Sequence, residues 1–241
     1  MYSHRSSTGP VDLAFTDRYD GVSAVPFDSL NLALVGDDDP EARRRNTELL
    51  LADFAPGAEL RDMEQVHGRR VARAGGPRER CDALVTDRPD VVLMVRAADC
   101  VPVLLADLED GGSGVIGAAH AGRQGLADGV VVACVEEMRL LGARSISAWV
   151  GPHVCGRCYE VPATLRDEVA AMEPSTASTT SWGTPALDIG AGVVAQLERL
   201  GVLVDDVSRC TLESPDLYSY RRDGAGSGRL AGVIRRRGPA R

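Results

Sequence analysis

Between positions 91 and 120 the chain carries three apolar runs, VVLMVRA (91–97), VPVLLAD (101–107) and GVIGAAH (114–120), separated by AADC and by EDGGS. Each run is short, rich in Val and bounded by Gly or Asp turns, which predicts strands buried on both faces rather than core helices. A sheet with two apolar faces needs cover on both sides, so these runs constrain the fold more than any other feature. SISAWV (145–150) predicts a further strand, and VDLAFT near the amino end alternates apolar and polar residues as a strand entering a turn does.

Helices fall between these strands. Asp39 fits an N-cap and Pro40 the first helical position, with Ala42, Leu49, Leu50 and Phe54 continuing at roughly helical spacing. Leu126, Val130, Cys134, Met138 and Leu141 recur at steps of four and three up to Gly142, which predicts one amphipathic helix. ATLRDEVAAM and GAGVVAQLERLG predict two more. The Ser/Thr-rich stretch 173–185 has no pattern and reads as a mobile surface loop, and residues 1–10 and 236–241 read as flexible ends. Strands and helices intermix throughout and no linker divides the chain, so the expectation is a single α/β domain spanning 1–241.

Composition narrows function. A formal charge of −8 and only 4% aromatic residues exclude a sequence-independent nucleic-acid binder, which needs clustered cations and stacking platforms. The first ten residues, MYSHRSSTGP, are polar, and no apolar stretch is long enough for an export signal or a membrane span, so a cytoplasmic protein without membrane contact is expected. Six cysteines in 241 residues are too sparse for a disulfide scaffold. Cys155 and Cys158 form a single C-x-x-C without a second pair, and Cys81, Cys134 and Cys210 read as packing residues.

Two of the four histidines sit in unusual settings. His67 lies in EQVHG, and His120 ends the strand GVIGAAH ahead of the small pair Ala121–Gly122. Cys100 lies in AADC, at the kink between two strands that should be neighbours. One thiolate and two imidazoles are three ligands that leave a tetrahedral position open, the pattern of a catalytic zinc site. The same residues also suit a metal-free hydrolase with Cys100 as nucleophile and His120 as base. Spacing alone leaves both readings open.

The ordered set QVHG, DALVT, ADC-x-PVLLAD, GAAHAG, GP…CYEV and CT…YSYRRDG…GR closely resembles the YfiH-like family, also called the polyphenol oxidase or laccase-domain family. The resemblance runs over nearly the whole chain. It implies an α/β/β/α four-layer sandwich and one zinc held by His67, Cys100 and His120, which would also be the catalytic residues. It further implies phosphorolysis of purine nucleosides (adenosine, inosine, guanosine, methylthioadenosine) together with adenosine deamination. A copper-dependent polyphenol oxidase is the alternative that older usage suggests, but four histidines make a multicopper centre hard to assemble.

This chain reads AHAGRQG where the family commonly has AHAGWRG, so Arg123 and Gln124 replace the usual Trp and Arg. Arg123 and Gln124, with Arg221 of YSYRRDG and Asn31 of SLNLALVG, are therefore the candidates for holding phosphate, ribose or base. Gln65 and Asp82 are candidates for orienting a zinc ligand, as metal-bound histidines usually require. His153 stands where the family often has Cys, as a substitute polar group or a surface histidine. A monomer acting on small molecules is the expected state.

Overall fold

A computed structural model describes residues 1–109 and 111–238. The chain begins with the antiparallel hairpin β1 (Tyr2–Thr8) and β2 (Val11–Thr16), followed by helix α1 (Pro40–Phe54). Asp39 caps α1 by accepting from the Glu41 N–H at 3.0 Å, with Pro40 at the first helical position. Five short strands come next: β3 (Glu59–Arg61), β4 (Met63–Glu64), β5 (Val71–Arg73), β6 (Glu79–Arg80) and β7 (Ala83–Thr86). The three apolar runs are β8 (Val91–Ala97), β9 (Val101–Asp107) and β10 (Ile116–Ala121).

Helices α2 (Arg123–Asp128) and α3 (Val130–Leu140) lead to β11 (Ile146–Val150) and α4 (Ala163–Met172). The hairpin β12 (Ala177–Thr179) and β13 (Pro185–Leu187) precedes α5 (Ile189–Arg199) and β14 (Leu203–Asp206). A short α6 (Tyr220–Asp223) and the last strand, β15 (Leu230–Arg236), complete the described chain.

Two sheets form the centre. One has the order β1-β2-β15-β8-β3 and the other β14-β11-β9-β10-β7-β5; β4 pairs separately with β6. Alternation along each strand decides what its faces bury. In β8, Val91, Leu93 and Val95 join Leu104, Ala106, Ile116 and Ala118 in a core between the sheets, while Val92 and Met94 meet Leu50 and Phe54 of α1. In β9, Val103 and Leu105 face the other way, onto Leu126, Val131, Cys134 and Val193 of the helices beyond. The resulting layers are helix, sheet, sheet, helix: the α/β/β/α sandwich.

Three expectations need correction. The helix read from Leu126 to Leu141 is two helices, because Gly129 adopts a left-handed conformation (φ +83°) that ends α2 and starts α3. The stretch 173–185 is not patternless: it contains a 3₁₀ turn (Pro174–Thr176), strand β12 and the buried side chains of Glu173 and Thr176. These polar groups are buried because they are satisfied, with Thr176 Oγ1 donating to the Glu173 carbonyl at 2.7 Å and Glu173 ion-paired to Arg199. Residues 1–10 are largely strand β1, which β2 holds by its backbone ladder, and Arg236 closes β15. Positions 239–241 of the expected flexible end lie outside the described residues.

Candidate active site

The fold gathers three distant segments at one end of the sheet sandwich. His120 is the penultimate residue of β10 and pairs in register with Pro102 of β9, two positions from Cys100. Cys100 follows Asp99, whose left-handed backbone (φ +87°) makes the kink between β8 and β9. His67 lies in the loop after β4, itself left-handed at φ +61°. A non-glycine residue in that region is strained and persists only where its surroundings hold it.

Asp82, just before β7 and fully buried, does the holding. Its carboxylate accepts from the N–H groups of Val66 (3.2 Å), His67 (2.9 Å) and Gly68 (2.8 Å), and from His120 Nδ1 (2.9 Å). Burial alone would favour the neutral carboxyl, but the His120 and backbone donors hold its pKa below the ordinary value. An ionised carboxylate only accepts, so His120 Nδ1 carries a proton and Nε2 is the nitrogen turned to the cluster, able to bind a metal once its own proton leaves. One side chain thus shapes the His67 loop and sets the His120 tautomer.

Asp99 performs a similar service for Cys100. Its two oxygens accept from Thr211 Oγ1 and from the Arg221 N–H, both at 2.6 Å. Gly122 closes the arrangement: a Cβ there would lie 2.9 Å from His67 Cδ2 and 3.3 Å from Cys100 Sγ. The glycine of AHAG is therefore required by close approach.

One donor atom each from His67, Cys100 and His120 lies within 4.8 Å of the others, and the two imidazole rings meet edge to face with centroids 4.8 Å apart. This grouping can hold a metal ion. Burial opposes ionisation of Cys100, but hydrogen bonds from His120 and His67 and their charge bring its pKa down to about 6. His120 is pushed up to about 9, where burial is overcome by Asp82 and Cys100. The cluster without metal is a thiolate facing an imidazolium, and a cation entering it would displace that proton.

The three donors open into a cleft of about 1310 Å³. Its wall carries Arg123 at the start of α2, Arg221 and Arg229, together with Tyr159 and Tyr220. Arg221 lies 4.7 Å over the Tyr159 ring and Arg229 lies 5.6 Å over Tyr220. In an acidic protein, this concentration of guanidinium at a cleft can attract an anion.

Other sequence candidates are placed differently. Gln124 is exposed outside the cleft wall, donating to Asp128 Oδ1 at 2.9 Å. Asn31 is buried and does not line the cleft; its amide donates to Asp38 (2.9 Å), and its oxygen accepts from the Ala33 and Arg229 N–H groups (3.0 and 2.9 Å). It ties the 31–38 loop to the Arg229 backbone. Gln65 borders the cleft, but its side chain clamps the Arg96 backbone (2.8 and 2.9 Å) instead of a histidine. His153 is buried, not on the surface, with Nδ1 bonded to the Gly151 carbonyl at 2.9 Å.

Sequence reading missed Arg229, Tyr159 and Arg96. Arg229 closes the motif YSYRRDG…GR and Tyr159 stands in CYEV, so both were in view without a stated role. Arg96 is the one charge in VVLMVRA; it is buried, ion-paired to Asp62 at 2.7 Å, and lines the cleft.

A two-sheet sandwich with a His/Cys/His group lining an arginine-rich cleft defines a class of protein, and comparison identifies it. The chain belongs to the YfiH-like family, described as multi-copper polyphenol oxidoreductase laccase, whose profile matches residues 12–237. A Streptomyces griseus protein named purine nucleoside phosphorylase is 51% identical, over 97% of this chain and 98% of its own length. Among solved structures, a Neisseria meningitidis protein matches with a TM-score of 0.85 at 32% identity, covering 96% of each chain. The Bacillus licheniformis protein YfiH shares the fold with a TM-score of 0.83 at 24% identity, over 97% of this chain and 99% of that one. No described helix is long and apolar enough to cross a membrane.

Proposed function

We propose that this chain is a zinc-dependent purine nucleoside phosphorylase that also deaminates adenosine. One observation carries the reading: a thiol and two imidazoles from three distant segments converge in a cleft whose wall holds Arg123, Arg221 and Arg229. The name of the Streptomyces griseus relative supports the phosphorylase part. The donor set fits zinc, which takes Cys and His at tetrahedral sites and keeps a vacant position when it is catalytic. A zinc ion there supplies Lewis acidity toward oxygen, and nothing more is asked of it.

The chain's own residues do the rest. In phosphorolysis a phosphate oxygen bonds to the anomeric carbon as the glycosidic bond breaks, and the purine leaves with the bonding electrons. Arg123, Arg221 and Arg229 bind and orient the phosphate and offset its charge as it approaches an electron-poor sugar carbon. Asp82 keeps the His120 proton on Nδ1 and so keeps Nε2 free to act as a ligand. Deamination requires water at the purine instead of phosphate at the sugar, so one cleft serves both reactions. A copper polyphenol oxidase needs more imidazoles than this site collects: His4 bonds to Ser6 and His153 to Gly151.

The test is adenosine turnover by the purified full chain. We expect adenine release that requires phosphate, inosine formation that does not, loss of both on chelation and in Cys100→Ser, and recovery with zinc for the wild type only. Phenol oxidation restored by copper, or adenosine turnover undiminished in Cys100→Ser, overturns the reading.

A further inference from the structure

Outside the cleft group, the described residues contain a second set of converging ligands. One donor atom each from Cys155, Cys158, Cys210 and Glu213 lies within 4.8 Å of the others. Cys210, read from sequence as a packing residue, is only half-buried, and Cys155–Cys158 does have a second pair, with a carboxylate in place of the fourth thiol. Both pairs have the same spacing: Cys155-x-x-Cys158 and Cys210-x-x-Glu213.

Both pairs also fold as tight turns. The Cys158 and Tyr159 N–H groups donate to the Cys155 carbonyl at 2.9 and 3.0 Å, and the Ser214 N–H donates to the Cys210 carbonyl at 3.1 Å. A turn of that span places its first and fourth side chains on one side, as the C-x-x-C half of a zinc knuckle does. Hydrogen bonds join the two turns. His153 bridges Cys210 in parallel, the Thr211 N–H donates to the His153 carbonyl at 3.0 Å, and the Cys155 N–H donates to Cys210 Sγ at 3.5 Å. All three sulfurs are free thiols. Three thiols in mutual reach cannot be satisfied by one disulfide, whereas three thiolates and a carboxylate complete one tetrahedral shell.

We propose that Cys155, Cys158, Cys210 and Glu213 form a second metal site, structural in role and selective for a zinc-class divalent cation. Soft sulfur ligands favour zinc over magnesium or calcium, and four protein donors leave no position for a substrate. The site adjoins the cleft wall, which Val154 and Tyr159 line beside Cys155 and Cys158. Tyr159, next to Cys158, carries Arg221 on its ring, and Thr211, next to Cys210, bonds Asp99 beside Cys100. A cation there fixes both to one centre without touching His67, Cys100 or His120.

The test measures zinc per chain by mass spectrometry in full-length protein purified without chelator and dialysed against trace zinc. We expect Cys100→Ser to keep about one equivalent, and the same protein carrying Cys210→Ser as well to lose it. Cobalt-loaded Cys100→Ser should show intense near-ultraviolet sulfur-to-cobalt absorption. Glu213 is exposed, so Glu213→Gln tests the site without endangering the fold; in the Cys100→Ser background it should weaken zinc at least tenfold in chelator competition. Zinc-free Cys100→Ser protein, cobalt absorption missing from it, or undiminished zinc affinity in Glu213→Gln each overturns the proposal. Cys100→Ser separates this outcome from failure of the cleft group.

Discussion

Replacing Asp82 by Asn keeps the shape of the side chain while removing its charge and one of its two oxygens. In the native protein those oxygens accept from four donors, the N–H groups of Val66, His67 and Gly68 and His120 Nδ1. A single amide oxygen accepts from two donors, and the new NH₂ group faces the others. Each buried donor left unpaired costs about 1–3 kcal/mol, and part of the His67 loop is open to water, so the loss is about 3 kcal/mol in total. For a chain of this size that lowers Tm by about 6–12 °C. Losing the partner of a ligating histidine separately weakens metal binding by about 10–100-fold. Thermal unfolding of metal-free protein measures the first effect and chelator competition with zinc the second. The pH dependence has a definite sign. Because the folded pKa of Asp82 is depressed, its contribution is complete above the ordinary carboxylate range and disappears as pH falls through the native value. The gap in Tm between wild type and Asp82→Asn should therefore narrow in acid. An Asp82→Asn protein that melts with the wild type and binds zinc equally well would refute the role given to this carboxylate.

Further outcomes follow from the same geometry. With its pKa near 6, Cys100 in metal-free protein should stay a thiolate down to that pH, so its alkylation by iodoacetamide should have a midpoint near pH 6, whereas buried Cys134, pushed up to about 12, should not react. A Cys100 midpoint near 9 sinks this. Gly122→Ala inserts a methyl group 2.9 Å from the His67 ring and should weaken zinc binding at least about tenfold, with a stability loss of about 1–3 kcal/mol, read by chelator competition and denaturant unfolding. Arg221→Ala should raise the KM for phosphate about tenfold and the KM for adenosine far less, as expected for a lost charge-assisted contact worth about 1.4 kcal/mol; equal effects on both would remove Arg221 from the phosphate site.

The layered fold was legible because its signals are local. Strands β8 and β9 and helix α4 fall on their expected limits, since an unbroken apolar run between turns, or a helical spacing of apolar residues, is written in consecutive positions. What escaped depends on partners far along the chain. β1 is polar and would not be chosen by burial, but an edge strand can be held by its ladder alone. Glu173 is buried because Arg199 comes to meet it from the far end of α5. The His67, Cys100 and His120 positions stood out at strand ends and turns, where side chains project beyond the sheet. Asn31 stood out equally, but its partners Asp38 and the Arg229 backbone are invisible until the last strand lies beside the first loop. Arg229 itself enters the cleft from a position 129 residues beyond Cys100, and no spacing rule reaches that far.

The two ligand groups should respond differently to metal removal, for a reason visible in their surroundings. Around the cleft group, the two left-handed residues His67 and Asp99 are held by hydrogen bonds that involve no metal: Asp82 grips the His67 loop, and Asp99 grips Thr211 and the Arg221 backbone. The thiolate and imidazolium there also compensate one another. The strain is therefore borne by the fold, and the cluster is preorganised for its ligand. Around Cys155, Cys158, Cys210 and Glu213 the backbone turns are in place, but four potential anions share one small volume, and only a cation lets them ionise together. Chelation should thus leave the geometry at His67 and His120 nearly intact while loosening the 153–161 and 209–216 segments. Hydrogen exchange of metal-free against zinc-loaded protein reads this directly: protection should fall in those two segments and hold at Val66 to Gly68. The opposite pattern would mean that the cleft group, not the knuckle, depends on metal for its shape.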